Sequence, residues 1–304
     1  MIRSITVTNY LGDSIKLDLA RPELSGFAVV DVTGLGPGAA TINTTELASM
    51  HGGLYNSSKL PSRNIVLSLR FLWNPTIEDV RQRSYRYFPI MKNVKLRFET
   101  DNRTAEIDGY VESNEPTIFS NEEGTDISIV CPNPFFYSAG DDGVNITAFS
   151  SIDSMFEFPF SNESLTSDLI EMGVYRATTD QVIKYDGDSE IGVTIYIRAA
   201  GEASNITIWN TDTRESMSID TDKLANLTGS GIVAGDEIII RTLDSQKSIT
   251  LIRDGESINI LNCLNKHANW FKLSRGENSF AYTAETGTTN LQFQIENRII
   301  YEGV

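Results

Sequence analysis

The chain has 304 residues, of which 40% are hydrophobic, and it carries a formal net charge of −16 at neutral pH. This length and hydrophobic content predict a globular protein of two domains, each with its own core, and exclude an intrinsically disordered chain. An acidic excess of this size repels nucleic-acid phosphates, so we expect no sequence-specific nucleic-acid binding.

We expect neither a membrane-spanning helix nor export through a signal peptide. No apolar run approaches the ~18 residues that a membrane span needs, and Met1–Thr8 lacks the basic and apolar segments of a signal peptide. Cys131 and Cys263, the two cysteines, lie in different halves of the chain. We expect both to be buried free thiols in a protein made in a reducing compartment. No zinc ligand set surrounds either one, and we predict no cofactor.

Alternating apolar residues predict strands through the first part of the chain. Residues 1–20 read as a hairpin whose turn is Asn9–Asp13, and further strands are expected at 93–99, 105–111 and 126–130. Between the strand patterns Val29–Val32 and Ile65–Phe71 lies a stretch rich in Gly, Pro, Asn and Ser. We predict a long ordered loop there, and loops of this length are usually functional or cover a surface.

One helix is predicted over Thr76–Phe88, because a capping pattern begins it and Pro89 ends it. A single stripe of apolar or small residues faces the core, formed by Ile77, Val80, Ser84, Tyr85 and Phe88. The remaining surface carries Arg81, Arg83 and Arg86. These arginines form either a solvated basic face or a contact with acidic groups of a neighbouring subunit.

Two prolines in Cys131–Tyr137 end strand pairing, and the turn-forming Ser138–Gly143 follows as a linker. We therefore place the domain boundary near 138–145, with one domain at 1–138 and another at 139–304. The second domain consists of short strand patterns separated by Gly, Asp and Asn turns, which predicts an antiparallel β-sandwich. Those patterns begin at Met155–Phe160 and continue to Leu291–Ile295.

No residue pattern predicts catalysis. The two histidines, His51 and His267, have no nucleophile motif near them, and Gly34–Gly38 lacks the Lys-Ser/Thr of a phosphate loop. A glycosidase with two distant carboxylates stays open, but we expect a protein that is not an enzyme. Asp186, Asp188 and Glu190 alternate as calcium ligands do. Because their spacing departs from the EF-hand loop, an exposed hairpin turn is the preferred interpretation.

Sugar binding is the alternative function for the second domain. Trp209, Trp270 and Tyr196 lie on its strand patterns, where an exposed aromatic ring would stack on a pyranose. Aromatic residues on strands are more often core residues. The galectin sugar signature is also missing, since His267–Trp270 does not match it.

A series of short segments in the first domain occurs in a characteristic order. The series is Gly34–Pro37, Tyr55–Ser58, Arg63–Ile65, Tyr87–Pro89, Gly109–Glu115, Phe119–Ser120 and Cys131–Phe135. It resembles the N-terminal domain of siphophage distal tail proteins, the Dit family. Near the end, Leu273–Asn278 and Ile300–Gly303 resemble the second domain of that family.

The resemblance implies a mainly β, two-domain structural protein of a phage tail tip or baseplate. Its N-terminal domain, a β-sandwich or split barrel with one helix, would form a homohexameric ring around a lumen for DNA. Its C-terminal galectin-like sandwich would project outward. The implied partners are the tail tube protein, the tail-associated lysin or tail fibre protein, and receptor-binding or baseplate proteins.

Carried onto this sequence, the resemblance implies ring contacts at Gly34, Leu35, Gly36, Pro37, Tyr55, Asn56, Arg63, Asn64, Arg83 and Arg86. Two hypotheses stand: a structural hub, and an adhesin that binds host cell-wall glycan through Trp209 or Trp270. Because the sugar-ligand signature is missing, the hub is the preferred hypothesis.

Overall fold

The computed structural model describes residues 1–46, 51–120, 122–139, 143–154, 173–177, 179–244 and 246–304. The chain forms two compact units, one of Met1–Gly143 with Ile300–Val304 and one of Val144–Ile299. The last five residues, which the sequence analysis places in the second domain, thus lie in the first unit. The predicted strand Met155–Phe160 and residues 140–142 of the predicted linker lie outside the described residues.

The described residues of unit 1 form eleven strands and one α-helix. The strands are β1 (Ile2–Asn9), β2 (Ser14–Asp18), β3 (Phe27–Thr33), β4 (Thr41–Glu46), β5 (Gly53–Lys59), β6 (Arg63–Phe71), β7 (Asn93–Thr100), β8 (Thr104–Thr117), β9 (Gly124–Cys131), β10 (Phe136–Ser138) and β25 (Ile300–Tyr301). The helix is α1 (Ile77–Tyr87), and a 3-10 turn spans Pro22–Leu24.

Nine of these strands form one antiparallel sheet in the order β2-β1-β7-β8-β9-β6-β3, with β10 pairing to β8 and β25 pairing to β10. The predicted hairpin over residues 1–20 is confirmed as β1 and β2. Alternate residues of β6 and β9, such as Ile65, Leu67, Ile127 and Ile129, are fully buried in one core. Burying one face of each strand fixes the register of the sheet.

Helix α1 confirms the predicted helix and its cap. The hydroxyl of Thr76 accepts a hydrogen bond from the Asp79 amide at 3.1 Å, and Phe88 occupies the C-cap. Val80, Ser84 and Phe88 are buried as predicted. Tyr85 departs from the predicted stripe and is 45% exposed, because only Ser84 of these two adjacent positions faces the sheet.

The predicted long loop between β3 and β6 is instead a β-hairpin. β4 pairs antiparallel with β5 from Thr41↔Lys59 to Glu46↔Gly53, with a bulge at Asn56. Residues 47–50, between the two strands, lie outside the described residues. The hairpin escaped prediction because its Thr, Asn, Ser and Gly residues show no alternation of apolar and polar positions.

Unit 2 contains fourteen described strands and a second helix. The strands are β11 (Val144–Ala148), β12 (Ser150–Ser154), β13 (Gly173–Ala177), β14 (Asp180–Tyr185), β15 (Ile191–Gly192), β16 (Thr194–Ala199), β17 (Thr207–Asn210), β18 (Glu215–Ser218), β19 (Glu237–Arg241), β20 (Ser248–Arg253), β21 (Glu256–Asn259), β22 (Lys272–Leu273), β23 (Gly276–Thr283) and β24 (Leu291–Arg298). The helix is α2 (Thr221–Thr228), and 3-10 turns span Leu261–Cys263 and Thr288–Asn290.

Two antiparallel sheets pack as a sandwich in unit 2. One has the order β11-β24-β16-β19-β20-β21 and the other β14-β23-β17-β18. Tyr282 of β23 stacks on Phe293 of β24 with ring centroids 3.7 Å apart, and Phe149 contacts both rings. This aromatic contact joins the two sheets and confirms the predicted antiparallel β-sandwich.

Helix α2 was not predicted. The Asp220 side chain accepts from the amides of Asp222 and Lys223 at 3.1 Å each, and Gly229 ends the helix at φ 84°. These two capping residues were visible in the sequence. We missed the helix because it has only eight residues and, at that length, the same residues also suit a turn.

Candidate assembly surface

The hairpin of β4 and β5, hereafter the arm, lies on the surface over its whole described length. All six residues of β4 and all seven of β5 are exposed. They include Ile42, Leu54 and Tyr55, which are 62%, 51% and 64% exposed. A two-stranded hairpin is at best marginally stable alone in water, so exposed apolar residues on one point to a binding partner.

Polar side chains tie the two strands of the arm to each other. The Asn56 side-chain amide on β5 donates to the Thr45 hydroxyl on β4 at 2.6 Å, whereas the Tyr55 and Ser58 hydroxyls, 2.8 Å apart, meet within β5. The Asn43 amide donates to the Ser57 hydroxyl at 3.0 Å. These contacts use up much of the polar capacity of the side chains, which leaves apolar surface and backbone edges for a partner.

The residues at the base of the arm, 34–37 and 63–64, approach other main-chain segments closely. Gly34 has φ 82°, and a Cβ there would lie 2.1 Å from the Asn64 carbonyl oxygen. Only glycine fits this position without a shift of the backbone. Leu35 packs partly buried against the unit 1 core, whereas Gly36 and Pro37 are exposed. Asn64 is exposed, and its side-chain oxygen accepts from the Ser128 hydroxyl at 3.0 Å.

Arg63, at the start of β6, holds this region together. It is only 8% exposed, and its guanidinium donates to four main-chain carbonyls. Nε donates to Pro134 at 2.7 Å, Nη1 to Gly34 and Gly36 at 2.6 Å each, and Nη2 to Glu302 at 2.7 Å. The guanidinium also lies 4.7 Å from the centre of the Phe136 ring. Burial lowers the pKa of Arg63, which agrees with a charge that only carbonyl dipoles solvate.

The arginines of α1 make contacts within unit 1. Arg81 pairs with Glu78 and Glu123 at 3.6 Å each. Arg83 is half-buried and donates from Nη2 to the Asn74 carbonyl at 2.5 Å. Arg86 is exposed and pairs with Asp13 at 2.8 Å, and its hydrogen bond to Asp13 raises the pKa of Arg86.

The candidate metal ligands do not converge. Asp186 lies 3.7 Å from Lys184, and Glu190 accepts from the Ser274 hydroxyl at 3.1 Å. Asp188 is exposed in the turn between them. Within the described ranges, no group of three or more His, Cys, Asp or Glu residues has the geometry to hold a metal ion. In the same part of the chain, no helix is long and apolar enough to cross a membrane.

Both cysteines are buried free thiols, as predicted. Burial raises the pKa of Cys131 to about 11, and burial also raises the pKa of Cys263. A thiol that stays protonated is a poor nucleophile. Both side chains therefore serve as small apolar residues of the two cores.

Trp209 and Trp270 occupy different environments in unit 2. Trp209 lies on β17 between Ser216 of β18 and Ala281 of β23, on the face opposite to the buried Ile208 and Met217. Trp270 is half-buried, with the Lys247 ammonium 5.7 Å from its ring centre. The structure thus brings small side chains around Trp209 and a cation beside Trp270.

Two further apolar residues of unit 1, Phe119 and Trp73, are strongly exposed. Phe119 is 99% exposed with φ 69°, and Trp73 is 76% exposed. A fully exposed phenylalanine in the left-handed region is uncommon. The Phe119–Ser120 pair belongs to the family-like series, but only the structure shows that the Phe119 ring is uncovered.

Comparisons with known proteins agree with this fold. The crystal structure of the SPP1 Dit protein, a paradigm of the hub adsorption apparatus in phages that infect Gram-positive bacteria, is similar with a TM-score of 0.61. The alignment covers 97% of this chain and 99% of that protein at 12% identity, so it concerns the fold. A chain of the phage P2 baseplate in its activated conformation with Ca aligns over 98% of this chain and 99% of its own at 12% identity, with a TM-score of 0.45.

A family comparison covers much of unit 2. Residues 186–297 match the family described as siphovirus-type tail component, C-terminal domain. No curated protein sequence matches the chain. Residues 186–297 are thus similar in sequence to the C-terminal domain of siphovirus-type tail components, and the chain has the fold of the SPP1 Dit protein.

Proposed function

We propose that the protein is the hexameric hub of a phage tail tip. Six copies form a ring through unit 1, with a lumen for DNA, between the tail tube on one side and the tail-associated lysin or fibre on the other. Receptor-binding or baseplate proteins attach through the second domain. The observation that carries this proposal is the arm, whose two strands are exposed at every described residue.

An exposed arm suits a contact between copies. A head-to-tail contact closes into a ring when its rotation divides a full turn, and each copy then gives one arm and receives another. Residues 55–56 lie on the arm, and residues 34–37 and 63–64 lie at its base, which supports a shared role for them in the proposed ring contact.

Native mass tests the ring. We expect light scattering of the protein alone to give a species of about 202 kDa, six times the chain mass of 33.7 kDa, and a heavier species that contains six chains when the tail tube protein is added. Replacing Ile42, Leu54 and Tyr55 by Ser should reduce this species at least tenfold. A control with Ile146, Val182 and Leu227 replaced by Ser changes three comparably exposed apolar residues of unit 2 and should keep the hexamer.

Two results would contradict the ring. One is a wild-type chain that stays monomeric at every concentration, with and without the tube protein. The other is an arm variant that assembles as well as the control, because the arm would then carry no contact between copies.

Arg86 is a second proposed ring contact, and Arg83 supports the segment before α1. The Arg86 side chain is 65% exposed although it pairs with Asp13. Arg86→Glu should weaken assembly more at low salt than at high salt, since exposed charges are screened. Asp13→Ala removes the internal pair alone and serves as the control. If Arg86→Glu assembles as well as wild type at every salt concentration, Arg86 does not take part in the contact between copies.

Glycan binding by the second domain is the alternative, and Trp209 favours it. Around this indole the sheet face carries Thr207, Ser216, Ser218, Ala281 and Thr283, which are small enough to let a sugar ring approach. We would measure binding of the full-length protein to an array of host wall polymers. Binding that Trp209→Ala abolishes and that Trp73→Ala, an exposed tryptophan of unit 1, leaves intact would support an adhesin. If no glycan binds, only the hypothesis of a structural hub stands.

A further inference from the structure

Residues 300–304, hereafter the strap, return to unit 1 after the whole of unit 2. Their strand β25 pairs antiparallel with β10, through Phe136↔Tyr301 and Tyr137↔Ile300. Ile300 is buried, and Tyr301 and Val304 pack partly buried against the unit 1 core. The Arg103 guanidinium lies 4.6 Å from the centre of the Tyr301 ring. The strap is therefore an integral part of this unit.

The strap also touches the segment from which the arm leaves. The Val304 amide donates to the Leu35 carbonyl at 3.0 Å. A Cβ added to Gly303 would lie 2.9 Å from the Leu35 carbonyl oxygen and 3.4 Å from the Gly36 Cα. The two main chains thus meet with no room for a side chain at this point.

The Arg63 guanidinium is hydrogen-bonded both to the strap and to the base of the arm. Its Nη1 donates to Gly34 and Gly36, and its Nη2 donates to Glu302 of the strap, 239 positions away in the chain. A buried cation needs its hydrogen-bond acceptors, because a missing one leaves a donor without water or partner. Three of the four hydrogen bonds of the guanidinium therefore exist only when the arm base and the strap are both in place.

We propose that the strap is a positioning device that fixes the base of the arm. Without it, Leu35 loses a main-chain partner, β10 loses a neighbouring strand and Arg63 loses one of four acceptors. The arm then leaves unit 1 in many directions. Because residues 144–299 come before the strap, the arm becomes oriented only after the chain has passed through unit 2. The consequence for assembly rests on the proposed ring, whereas the positioning itself concerns a single chain.

Distances between spin labels on the full-length chain test the positioning. Nitroxides are attached at Thr44→Cys on the arm and Asn102→Cys on an exposed turn of the sheet, while the buried Cys131 and Cys263 stay unlabelled. Pulsed electron spin resonance on dilute protein should give a narrow distance distribution. Gly303→Val should broaden it at least twofold. Gly231→Val, where a side chain meets open space, should leave it unchanged.

Milder variants guard against a chain that fails to fold. Gly303→Ala and Tyr301→Ala should broaden the distribution in the same direction, with a circular dichroism spectrum like that of the wild type. An unchanged distribution in folded Gly303 variants, or one already broad in the wild type, would overturn the proposal. The hexamer is measured separately on unlabelled chains. A narrow, strap-dependent distribution in a chain that never assembles would refute the ring and keep the positioning.

Discussion

Asp236 and Arg253 form a two-pronged ion pair inside unit 2. Arg253 Nε donates to Asp236 Oδ1 at 2.7 Å and Nη2 donates to Oδ2 at 2.6 Å, while the Asp236 side chain is 1% exposed. Arg253 also donates to the Gly231 carbonyl at 2.6 Å and to the Ser230 hydroxyl at 2.7 Å. One guanidinium thus ties β20 to the segment between α2 and β19.

Removing one partner of this pair should destabilise unit 2 strongly. Asp236→Ala leaves the Arg253 charge buried without its carboxylate, and we expect a loss of about 3–5 kcal/mol in the free energy of unfolding. The control is Asp244→Ala, which breaks an exposed pair with Lys272 and should cost less than about 1 kcal/mol. Urea unfolding followed by tryptophan fluorescence measures both. Equal losses would show that the buried pair has no special weight.

Gly34 is expected to tolerate no side chain. Gly34→Ala forces a Cβ against the Asn64 carbonyl at a backbone φ of 82°, so we expect a loss of about 1–3 kcal/mol. At Gly36 a Cβ meets nothing within 4 Å, so Gly36→Ala should change stability by less than about 0.5 kcal/mol. Thermal unfolding of the two variants makes the comparison. Two equal midpoints would contradict the close approach.

Native thiols should not react at pH 8. Burial raises the pKa of Cys131 to about 11, so its thiol stays protonated in the folded chain. A thiol reagent should label both cysteines only after unfolding, whereas Thr44→Cys on the exposed arm should react within minutes. Rapid labelling of the folded wild type would contradict the burial of both side chains.

The same pKa predicts a loss of stability at alkaline pH. An unfolded cysteine ionises near pH ~8.5, whereas the folded Cys131 keeps its proton up to about 11. The unfolded state therefore binds fewer protons in this window, and the contribution of Cys131 to stability falls as the pH rises. Cys131→Ala lacks this contribution, so the stability gap between wild type and variant should shrink from pH 8.5 to pH 11. A constant gap would refute the expectation.

At acid pH, the lowered pKa of Glu99 predicts that stability falls as the pH falls. Its carboxylate accepts from Lys16 and Ser4 at 2.7 Å each, and these hydrogen bonds lower the pKa of Glu99, with that from Lys16 the larger cause. The stabilisation is present above the unfolded pKa of ~4.3 and is lost as the pH falls through the lower folded value. The difference between the unfolding midpoints of wild type and Glu99→Gln should therefore become smaller below pH ~4. The exposed Glu256→Gln is the control and should show no such narrowing.

Much of unit 1 could be predicted because its signals are local. Alternation along residues 1–20 indicated β1 and β2, and the Thr76 cap with Pro89 bounded α1 to within a residue at either end. The arm and α2 were missed for the opposite reason. The arm has no buried face to impose a pattern, and α2 is too short for periodicity to distinguish it from a turn.

The candidate assembly surface was likewise only partly predictable from the sequence. The segments around Gly34 and Arg63 were singled out in the sequence, yet nothing in it shows that Arg63 reaches Gly34, Gly36, Pro134 and Glu302 together. Those four carbonyls come from three distant parts of the chain, and no local pattern reports such a meeting. Among the arginines of α1, only the Arg81–Glu78 pair follows from helical spacing, whereas the contacts of Arg81 with Glu123 and of Arg86 with Asp13 do not.

The sequence alone was enough to predict that the protein is mainly β and has an antiparallel sandwich in its second half. Burial of one face of a strand leaves a period of two in the apolar residues, and this period can be seen without a structure. Tertiary structure alone decided that the glycine-rich stretch is an exposed arm and that residues 300–304 complete the first unit. The arm has no buried face that would leave a pattern in the sequence, and the strap pairs with β10, a segment far away in the chain, so its free energy comes from contacts and not from local preference.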